Sequence, residues 1–241
     1  MCPMSTTGTW AQRAQPLLAG IRARIPGIRG RLLRPLVRFR EMRFPTFDPA
    51  VHESVATSDD YFRYATLGLA VQRVLDEPID GAMAEVGVWR GEMSAFLHRL
   101  APSRRLYLFD TFSGFPKGDL PTGAEDTRFR DTSVEAVRRR VGPSPNVTLK
   151  PGYVPDILGE AADQRFALVL LDLDLFEPTR ASLEFFYPRL SPGGYLIVHD
   201  YNNPESGWAC KRAFDQFLSD KPEQLVELGD VWGSALIRRA G

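Results

Sequence analysis

The chain has 241 residues, of which 44% are hydrophobic and 25% charged, and a formal net charge of zero, the composition of a soluble globular protein with one catalytic domain. No run approaches the roughly 18 to 20 apolar residues of a membrane span, and the first residues lack the apolar core of a signal peptide. Cys2 and Cys210 lie at opposite ends of the chain, which argues against a disulfide framework or a structural zinc site and predicts a cytoplasmic location.

Residues 1–55 are predicted to form an extension outside the domain. They contain six prolines and no sustained hydrophobic period, and residues 1–43 hold nine arginines against a single acidic residue, Glu41. This pattern is typical of a poorly ordered basic leader. Its interleaved apolar residues leave open a contact with anionic lipid, an acidic protein face or nucleic acid. Of these we expect a weak membrane-surface or protein contact and no nucleic acid.

The domain is predicted to span residues 56–241 and to begin with a helix after Ser58, since a hydroxyl cap followed by two acidic residues suits a helix start. After this helix, short β-rich runs alternate with helical stretches, as in a parallel sheet covered on both faces. The predicted strands are Met83–Val88, Arg105–Asp110, Val147–Lys150, Phe166–Asp172, Tyr195–Asp200, Leu225–Leu228 and Ala235–Arg238. The predicted helices are Gly91–Leu100, Ser133–Val141, Pro155–Ala161, Glu177–Leu190 and Trp208–Ser219.

Two features of these elements set the fold class. The run from Phe166 to Leu171 is apolar throughout, as a central strand buried on both faces requires. The last two strands are separated by Gly229, Asp230 and Gly233, which predicts a hairpin. The sequence therefore predicts an α/β fold, a doubly wound Rossmann-like sheet of seven strands with a C-terminal antiparallel hairpin.

The first two strands end in residues typical of a nucleotide site. Glu85, Gly87 and Gly91 form an E-x-G-x-x-x-G turn, in which glycines allow a tight turn and a close backbone approach to a ligand. The second strand ends at Asp110, and Thr111 follows it. The separation of Asp110 from Gly87 along the sequence is about that at which a carboxylate binds the two hydroxyls of a ribose. Either feature alone is common without a ligand, but together they favour an adenosine-containing one. A dinucleotide is disfavoured because G-x-G-x-x-G is absent.

Acidic residues and a histidine follow the fourth and fifth strands. The predicted fourth strand ends at Asp172, with Asp174 two residues further on, and the predicted fifth strand ends in His199 and Asp200. Adjacent parallel strands bring these side chains to the same edge of the sheet, where open α/β sheets bind ligands. Capping the next helix needs one carboxylate, so the additional like charges predict a cation or a substrate at this place. Asp172, His199 and Asp200 suit Mg²⁺ or a softer divalent ion such as Mn²⁺.

Five longer motifs resemble those of a known family. They are E-V-G-V-W-R-G at 85–91, L-F-D-T-F-S-G-F-P at 108–116, L-D-L-D-L-F-E-P-T at 171–179, F-Y-P-R-L-S-P-G-G at 186–194 and V-H-D-Y at 198–201. In this order they are similar to the macrocin and mycinamicin-type O-methyltransferases, and the resemblance covers roughly residues 58–239. It implies a class I S-adenosylmethionine enzyme that methylates sugar hydroxyls on natural products, usually with bound magnesium.

The resemblance also implies roles for the residues of the first two strand ends. Glu85, Gly87 and Gly91 would shape the methionine and ribose pocket. Asp110, with Thr111 beside it among the cofactor-binding residues, would hold the ribose hydroxyls. The segment 118–131 is expected to help form the acceptor pocket.

At the fourth and fifth strand ends, the resemblance implies metal ligation by Asp172, His199 and Asp200, with Asp174 close to the substrate. The chain departs from the family at one position. Macrolide-modifying members typically carry two consecutive aspartates where this chain has His199 and Asp200. An imidazole in place of a carboxylate makes the site less negative and shifts its preference away from the hard Mg²⁺ ion.

Methyl transfer from a sulfonium is an in-line displacement, so the protein must align three atoms and make the acceptor oxygen nucleophilic. A divalent ion acidifies a bound hydroxyl, and Asp174 or His199 can receive the proton. A metal-bound His199 cannot also be the base, which makes Asp174 the first candidate. The catalytic residues are therefore predicted to be Asp174, Asp172 and His199.

Two alternatives stay open from the sequence alone. The acceptor can be a catechol-like phenol, for which the same metal geometry would serve. The chain can also be a non-catalytic adenosine-binding or membrane-recruited adaptor, as its basic leader and altered metal pair allow, although the intact Asp172, Asp174 and Asp200 argue against this. A homo-oligomer is compatible with all of these functions.

Overall fold

The computed structural model describes residues 48–116 and 126–241, so the predicted basic leader lies outside the described residues up to position 47. The strands are β1 (Ala82–Val86), β2 (Leu106–Asp110), β3 (Val147–Pro151), β4 (Phe166–Leu171), β5 (Leu190–Val198), β6 (Val226–Leu228) and β7 (Ser234–Arg238). The helices are α1 (Pro49–Ala56), α2 (Tyr61–Asp76), α3 (Glu92–Leu100), α4 (Val134–Val141), α5 (Phe176–Phe186) and α6 (Ala209–Leu218). Leu158–Ala161 and Tyr187–Arg189 are short 3₁₀ helices.

The seven strands form one sheet in the order β3-β2-β1-β4-β5-β7-β6. Strands β1 to β5 pair in parallel, whereas β7 is antiparallel to both β5 and β6. The predicted doubly wound sheet with a C-terminal hairpin is confirmed. The strand order reverses between β1 and β4, and the carboxyl ends of strands at such a switch point are where ligands bind in open α/β sheets.

Both faces of the sheet are covered, which is why its central strands are so apolar. Every residue of β1 and β4 is buried. One face packs against α1 to α4 through residues such as Leu67 and Phe96, and the other against α5 and α6 through residues such as Phe186 and Phe214. This double coverage fixes the strand ends, and therefore the side chains that follow them, in one geometry.

Two predicted helices are shorter than expected. The prediction of a helix over Pro155–Ala161 is wrong, because only Leu158–Ala161 is helical and in the 3₁₀ form, where Gly159 disfavours a longer helix. The helix predicted to reach Leu190 ends at Phe186. Pro188 explains this end, since proline lacks the N–H that an α-helix needs and its ring clashes with the preceding turn.

Strand β5 begins earlier than predicted. It starts at Leu190, and its pairing with β4 passes from Phe166–Leu190 to Leu168–Tyr195 across a register shift. A side chain on Gly194 would come within 2.9 Å of the Ala167 carbonyl oxygen. Pro192, Gly193 and Gly194 therefore form a bulge inside the strand.

Helix α1 was not predicted, and it crosses the expected boundary at residues 55 and 56. Asp48 caps it by accepting the N–H of Ala50 at 2.7 Å. Val51 and Val55 are 5% and 2% exposed and belong to the core cluster beneath α2 and α3. These contacts place α1, with its cap at Asp48, in the domain. Among the described residues, no helix has the length and apolar character needed to cross a membrane.

We expect residues before position 44 to be dispensable for folding, but not helix α1. A chain starting at residue 44 should unfold at the same temperature as the full chain. A chain starting at Ser58 should lose roughly 3 to 6 kcal/mol, the value of burying two valine side chains. Thermal unfolding of the two shortened chains checks this. Equal stability of both would show that α1 contributes nothing to the domain.

Candidate active site

A cavity of about 780 Å³ opens at the carboxyl edge of the sheet, at the switch point between β1 and β4. This volume lies in the range of pockets that enclose small-molecule ligands. Residues of both predicted groups contribute to its wall, the glycine turn after β1 and the acidic cluster after β4 and β5. The lining residues predicted from the sequence are Glu85, Gly87, Asp110, Thr111, Asp172, Asp174, His199 and Asp200.

The glycines of the turn after β1 are required by packing. Gly87 has φ 90°, and a Cβ there would lie 1.9 Å from the backbone oxygen of Asp172. Gly91 has φ 74°, and a Cβ there would lie 2.8 Å from a methyl group of Val137. Only glycine fits at both positions. The glycine turn therefore packs directly against the end of β4, so the part of the cavity lined by this turn adjoins the part lined by the acidic cluster.

Asp110 holds this turn in place. Its Oδ2 accepts the backbone N–H of Val88 at 2.6 Å and that of Trp89 at 2.8 Å, and its Oδ1 accepts that of Phe112 at 2.6 Å. Each carboxylate oxygen has two lone pairs, so a further acceptor position is left for a ligand hydroxyl. Asp110 thus has a structural role that the sequence did not predict, in addition to the predicted one.

Glu85 is the most buried acid of the cavity wall, with 1% exposure. Ser94 on α3 donates its hydroxyl to Glu85. Burial raises the pKa of Glu85 to about 8, although the hydrogen bond from Ser94 opposes this. Thr111, at the other side of the turn, donates its hydroxyl to the carbonyl of Gly114 at 2.8 Å.

Asp172, His199 and Asp200 come together as predicted. The Nδ1 atom of His199 lies 3.0 Å from Oδ1 of Asp172 and 2.8 Å from Oδ2 of Asp200. One ligand atom from each of the three residues lies within 4.8 Å of the others. Asn203 fixes Asp200 by donating its amide N–H to Oδ1 at 2.9 Å.

The other ring nitrogen of His199 is held by the loop before β7. Nε2 lies 3.0 Å from the carbonyl oxygen of Val231, and because a carbonyl only accepts, Nε2 carries a proton. Val231 is fixed in turn by Asp60, which accepts its N–H at 2.9 Å. The Nδ1 side of the ring is therefore the side turned toward the two carboxylates.

The protonation states of His199 and Asp172 depend on their burial and on the charged groups around them. Burial alone would lower the pKa of His199, but the carboxylates of Asp172 and Asp200 outweigh it and raise the pKa to about 10. Burial also disfavours the charged form of Asp172, yet Arg63 and His199 hold its pKa well below the usual range. The site thus favours an ionised Asp172 together with a positive charge at the Nδ1 position.

Asp174 lies beside this cluster in a strained backbone conformation. Its φ is 59°, in the left-handed region that few residues other than glycine adopt. The side chain is 8% exposed, and burial together with Asp200 and Asp172 raises its pKa to about 8. Within residues 48–116 and 126–241 its carboxylate has no hydrogen-bond partner. It lines the cavity, so a ligand hydroxyl can reach it.

An aromatic wall flanks the glycine turn. The ring of Phe129 meets that of Trp89 at 5.4 Å and that of Phe115 at 5.1 Å, both edge to face. Asp131 fixes Trp89 by accepting its indole N–H at 2.7 Å, and the guanidinium of Arg128 lies 5.5 Å from the Phe129 ring. Of the predicted acceptor segment, residues 118–125 lie outside the described residues, and Arg128 and Phe129 line the cavity.

Arg63 is the cavity residue that sequence reasoning missed. It lies in the first turn of α2, and its Nη2 pairs with Oδ2 of Asp172. No local pattern distinguishes this arginine from others on a helix surface, since its partner is 109 positions away.

A second cluster of possible metal ligands consists of Asp60, His199 and Asp230. However, Asp230 accepts the N–H and hydroxyl of Ser234, and both oxygens of Asp60 accept backbone N–H groups.

Comparison with known proteins identifies a matching family. The family model described as "Macrocin-O-methyltransferase (TylF)" matches residues 61–227. Among curated proteins, the chain is 35% identical to the 8-demethyl-8-(2,3-dimethoxy-alpha-L-rhamnosyl)-tetracenomycin-C 4'-O-methyltransferase of Streptomyces olivaceus, over 70% of this chain and 72% of that one. It is 29% identical to the mycinamicin III 3''-O-methyltransferase of Micromonospora griseorubida, over 70% of this chain and 75% of that one.

A solved structure gives the same result. The O-methyltransferase NovP superimposes with a TM-score of 0.63 at 26% identity, over 75% of this chain and 81% of that one. The part matched by the family model, residues 61–227, includes the ends of the central strands, where the cavity lies.

Proposed function

The chain belongs to the macrocin-O-methyltransferase family and is an O-methyltransferase. We propose that it transfers the methyl group of S-adenosylmethionine to a sugar hydroxyl of a natural product or glycoconjugate. We further propose that a divalent metal ion assists the transfer. The observation that carries this proposal is the single cavity that joins the glycine turn to the acidic cluster. Because a donor and an acceptor must meet in line, their two sites need to adjoin. Membership of this family also favours an enzyme over a non-catalytic adaptor.

The donor end of the proposal rests on the turn after β1. Gly87 lines the cavity, and the glycines at 87 and 91 let the turn pack closely against the end of β4 and against Val137 of α4. Asp110 and the buried Glu85 offer acceptors for the hydroxyl and amine groups of the donor. The aromatic wall of Trp89 and Phe129 supplies the apolar surface that an adenosine ligand also needs.

The chemistry of the donor set fits a divalent ion. Asp172 and Asp200 each present one oxygen to the Nδ1 side of His199, and Val231 holds the remaining ring N–H, an arrangement usual for metal-binding histidines. Asp172, His199 and Asp200 would hold the ion, which when bound would acidify the acceptor hydroxyl and make its oxygen more nucleophilic. One imidazole with two carboxylates suits Mn²⁺ at least as well as Mg²⁺.

Asp174 is the proposed proton acceptor. Its carboxylate lines the cavity, and no residue within 48–116 or 126–241 forms a hydrogen bond with it. Burial and the nearby acids raise its pKa to about 8, and a bound divalent ion would lower this pKa, so that the ionised form could take the proton of the acceptor hydroxyl. Arg128 lies near enough to oppose the rise in this pKa. The strained backbone at this position is of the kind that is retained at functional sites.

The proposed acceptor is a sugar hydroxyl rather than a phenol. The relative from Streptomyces olivaceus is named for a rhamnosyl-bearing substrate, which favours a sugar hydroxyl here. A catechol-like phenol would require the same metal geometry. Incubating the protein with labelled donor and separate panels of glycosylated natural products and catechols distinguishes the two classes. Methylation of catechols alone would overturn the sugar assignment.

The donor assignment predicts a stabilising ligand. S-adenosylhomocysteine at about 100 times its dissociation constant should raise the free energy of unfolding by about 2.7 kcal/mol. Asp110→Ala should weaken binding, because the change loosens the turn as well as removing the proposed ribose contacts. Calorimetry and thermal unfolding measure both effects, with Asp163→Ala, a change at an exposed acid, as control. No heat of binding and no thermal shift for the unmodified protein would remove the donor assignment.

The remaining sequence predictions concern the environment of the enzyme. A cytoplasmic location, a weak contact of the basic leader with a membrane surface or protein, and homo-oligomer formation all stay predictions. The leader carries the first of its arginines at Arg13 and the last at Arg43, so vesicle binding by the full chain and by a chain starting at residue 44 tests its role directly.

A further inference from the structure

We propose that Arg63 binds the α-carboxylate at the methionine end of the donor. This inference rests on the proposed function, in that the donor is S-adenosylmethionine, and it adds a binding residue that lies outside the glycine turn and the acidic cluster. The carboxylate is the only anionic group of that donor, whose amine and sulfonium are both cationic.

Helix α2 packs against α3, and this packing places Arg63 in the wall of the cavity that the glycine turn also lines. The ring of Tyr64 lies 4.8 Å from that of Phe96, which joins the first turn of α2 to α3. Helix α3 begins directly after Gly91. The Arg63 backbone is fixed by its N–H bond to Asp60 at 3.2 Å, and its side chain, 16% exposed, reaches the cavity wall.

The guanidinium of Arg63 has hydrogen-bonding capacity to spare. Its Nη2 pairs with Asp172. Among the residues that the structure describes, Nε and Nη1 meet no acceptor, and Nε is buried as well. An arginine presents five N–H donors in a planar fork that matches a carboxylate. A buried donor without a partner costs free energy, so a bound carboxylate would complete the site.

The charges around Arg63 point to the same ligand group. The ionisable residues that act on its guanidinium are the acids Asp172, Glu85 and Asp200. A ligand anion would be repelled by these acids unless it met Arg63, while a ligand amine or sulfonium would be attracted to them. The zwitterionic methionine end of the donor matches this arrangement, in which a buried guanidinium lies beside several acids.

Other arginines of the cavity wall are less suited to this role. Arg90 is exposed and pairs with Asp131, and Arg140 pairs with Glu92. Arg99 is exposed on α3, which makes it a matched control. Arg63 differs from all three by its burial and by its contact with the acidic cluster.

The experiment compares two ligands that differ in the carboxylate alone. The first is S-adenosylhomocysteine, and the second is its decarboxylated analogue, 5′-(3-aminopropylthio)-5′-deoxyadenosine, which keeps the adenosine, the sulfur and the amine. Calorimetry gives both dissociation constants for the unmodified protein and for Arg63→Met, Arg63→Lys and Arg99→Met. Thermal unfolding verifies that each variant is folded.

We expect Arg63→Met to weaken S-adenosylhomocysteine about 10- to 100-fold, the usual effect of losing a hydrogen bond to a charged group, and to leave the decarboxylated analogue within about threefold. Arg63→Lys should give an intermediate loss confined to S-adenosylhomocysteine, and it tests the proposal even if Arg63→Met does not fold. Arg99→Met should change neither constant. Equal weakening of both ligands, or of neither, would overturn the proposal. If the unmodified protein binds neither ligand, the donor assignment itself fails.

Discussion

Asp172→Ala is expected to abolish methyl transfer while leaving the binding of S-adenosylhomocysteine largely intact. The variant removes the oxygen that faces Nδ1 of His199 and thus breaks the proposed metal site. The loss of a metal that acidifies the acceptor is worth several kcal/mol, or at least about 1,000-fold in rate. Donor binding should survive, because the contact of Asp172 with Gly87 is made by its backbone and Arg63 is retained.

The measurement combines rates with metal dependence. Exhaustive chelation should lower the rate of the unmodified protein to that of the variant, and added Mn²⁺ should restore only the unmodified protein. Because the proposed metal site includes the imidazole of His199, Mn²⁺, Co²⁺ or Ni²⁺ should support turnover better than Mg²⁺, and His199→Asp should shift the preference toward Mg²⁺. Asp163→Ala serves as the control for removing an acid. Full activity after chelation, with an authentic acceptor, would overturn the metal mechanism.

Asp174→Asn is expected to slow transfer by roughly 100- to 10,000-fold, the usual contribution of a positioned acid or base. Asparagine is nearly the same shape as aspartate and tolerates the left-handed backbone at φ 59°. The change therefore removes the proton acceptor without adding strain. Metal and S-adenosylhomocysteine should bind as before, since neither proposed site includes the Asp174 side chain.

The control for this prediction is Glu205→Gln. Glu205 is an exposed acid that also acts on Arg128, so its replacement changes the nearby charge without altering the proposed base. An Asp174→Asn variant with an unchanged rate would remove Asp174 from the chemistry. A variant that lost donor binding would assign it a structural role instead.

The alternation of strands and helices could be predicted from the sequence because the central strands are buried on both faces and are therefore mostly apolar, as in Phe166–Leu171. The elements that were mistaken depend on context. Pro192, Gly193 and Gly194 have the composition of a turn, yet they form a bulge in β5 because its neighbours pair on either side of them. Helix α1 has only two buried positions, Val51 and Val55, which is too few for a visible period.

Part of the candidate site could also be predicted from the sequence pattern. Asp172, Asp174, His199 and Asp200 could be grouped from the sequence alone, because the ends of neighbouring parallel strands must meet at one edge of the sheet. Their grouping needed only the order of strands, which the pattern supplies.

The family resemblance, the fold class and the residues at the carboxyl edge of the central strands could be predicted from the sequence, because they depend on motifs, local composition and the period of apolar residues. The pairing of Arg63 with Asp172 and the contact of Val231 with His199 are visible only in the folded chain. These partners come from a helix before the sheet and from a loop near the end of the chain. Contacts between segments so far apart are set by how helices and loops pack on the finished sheet, and a single sequence carries no local pattern for them.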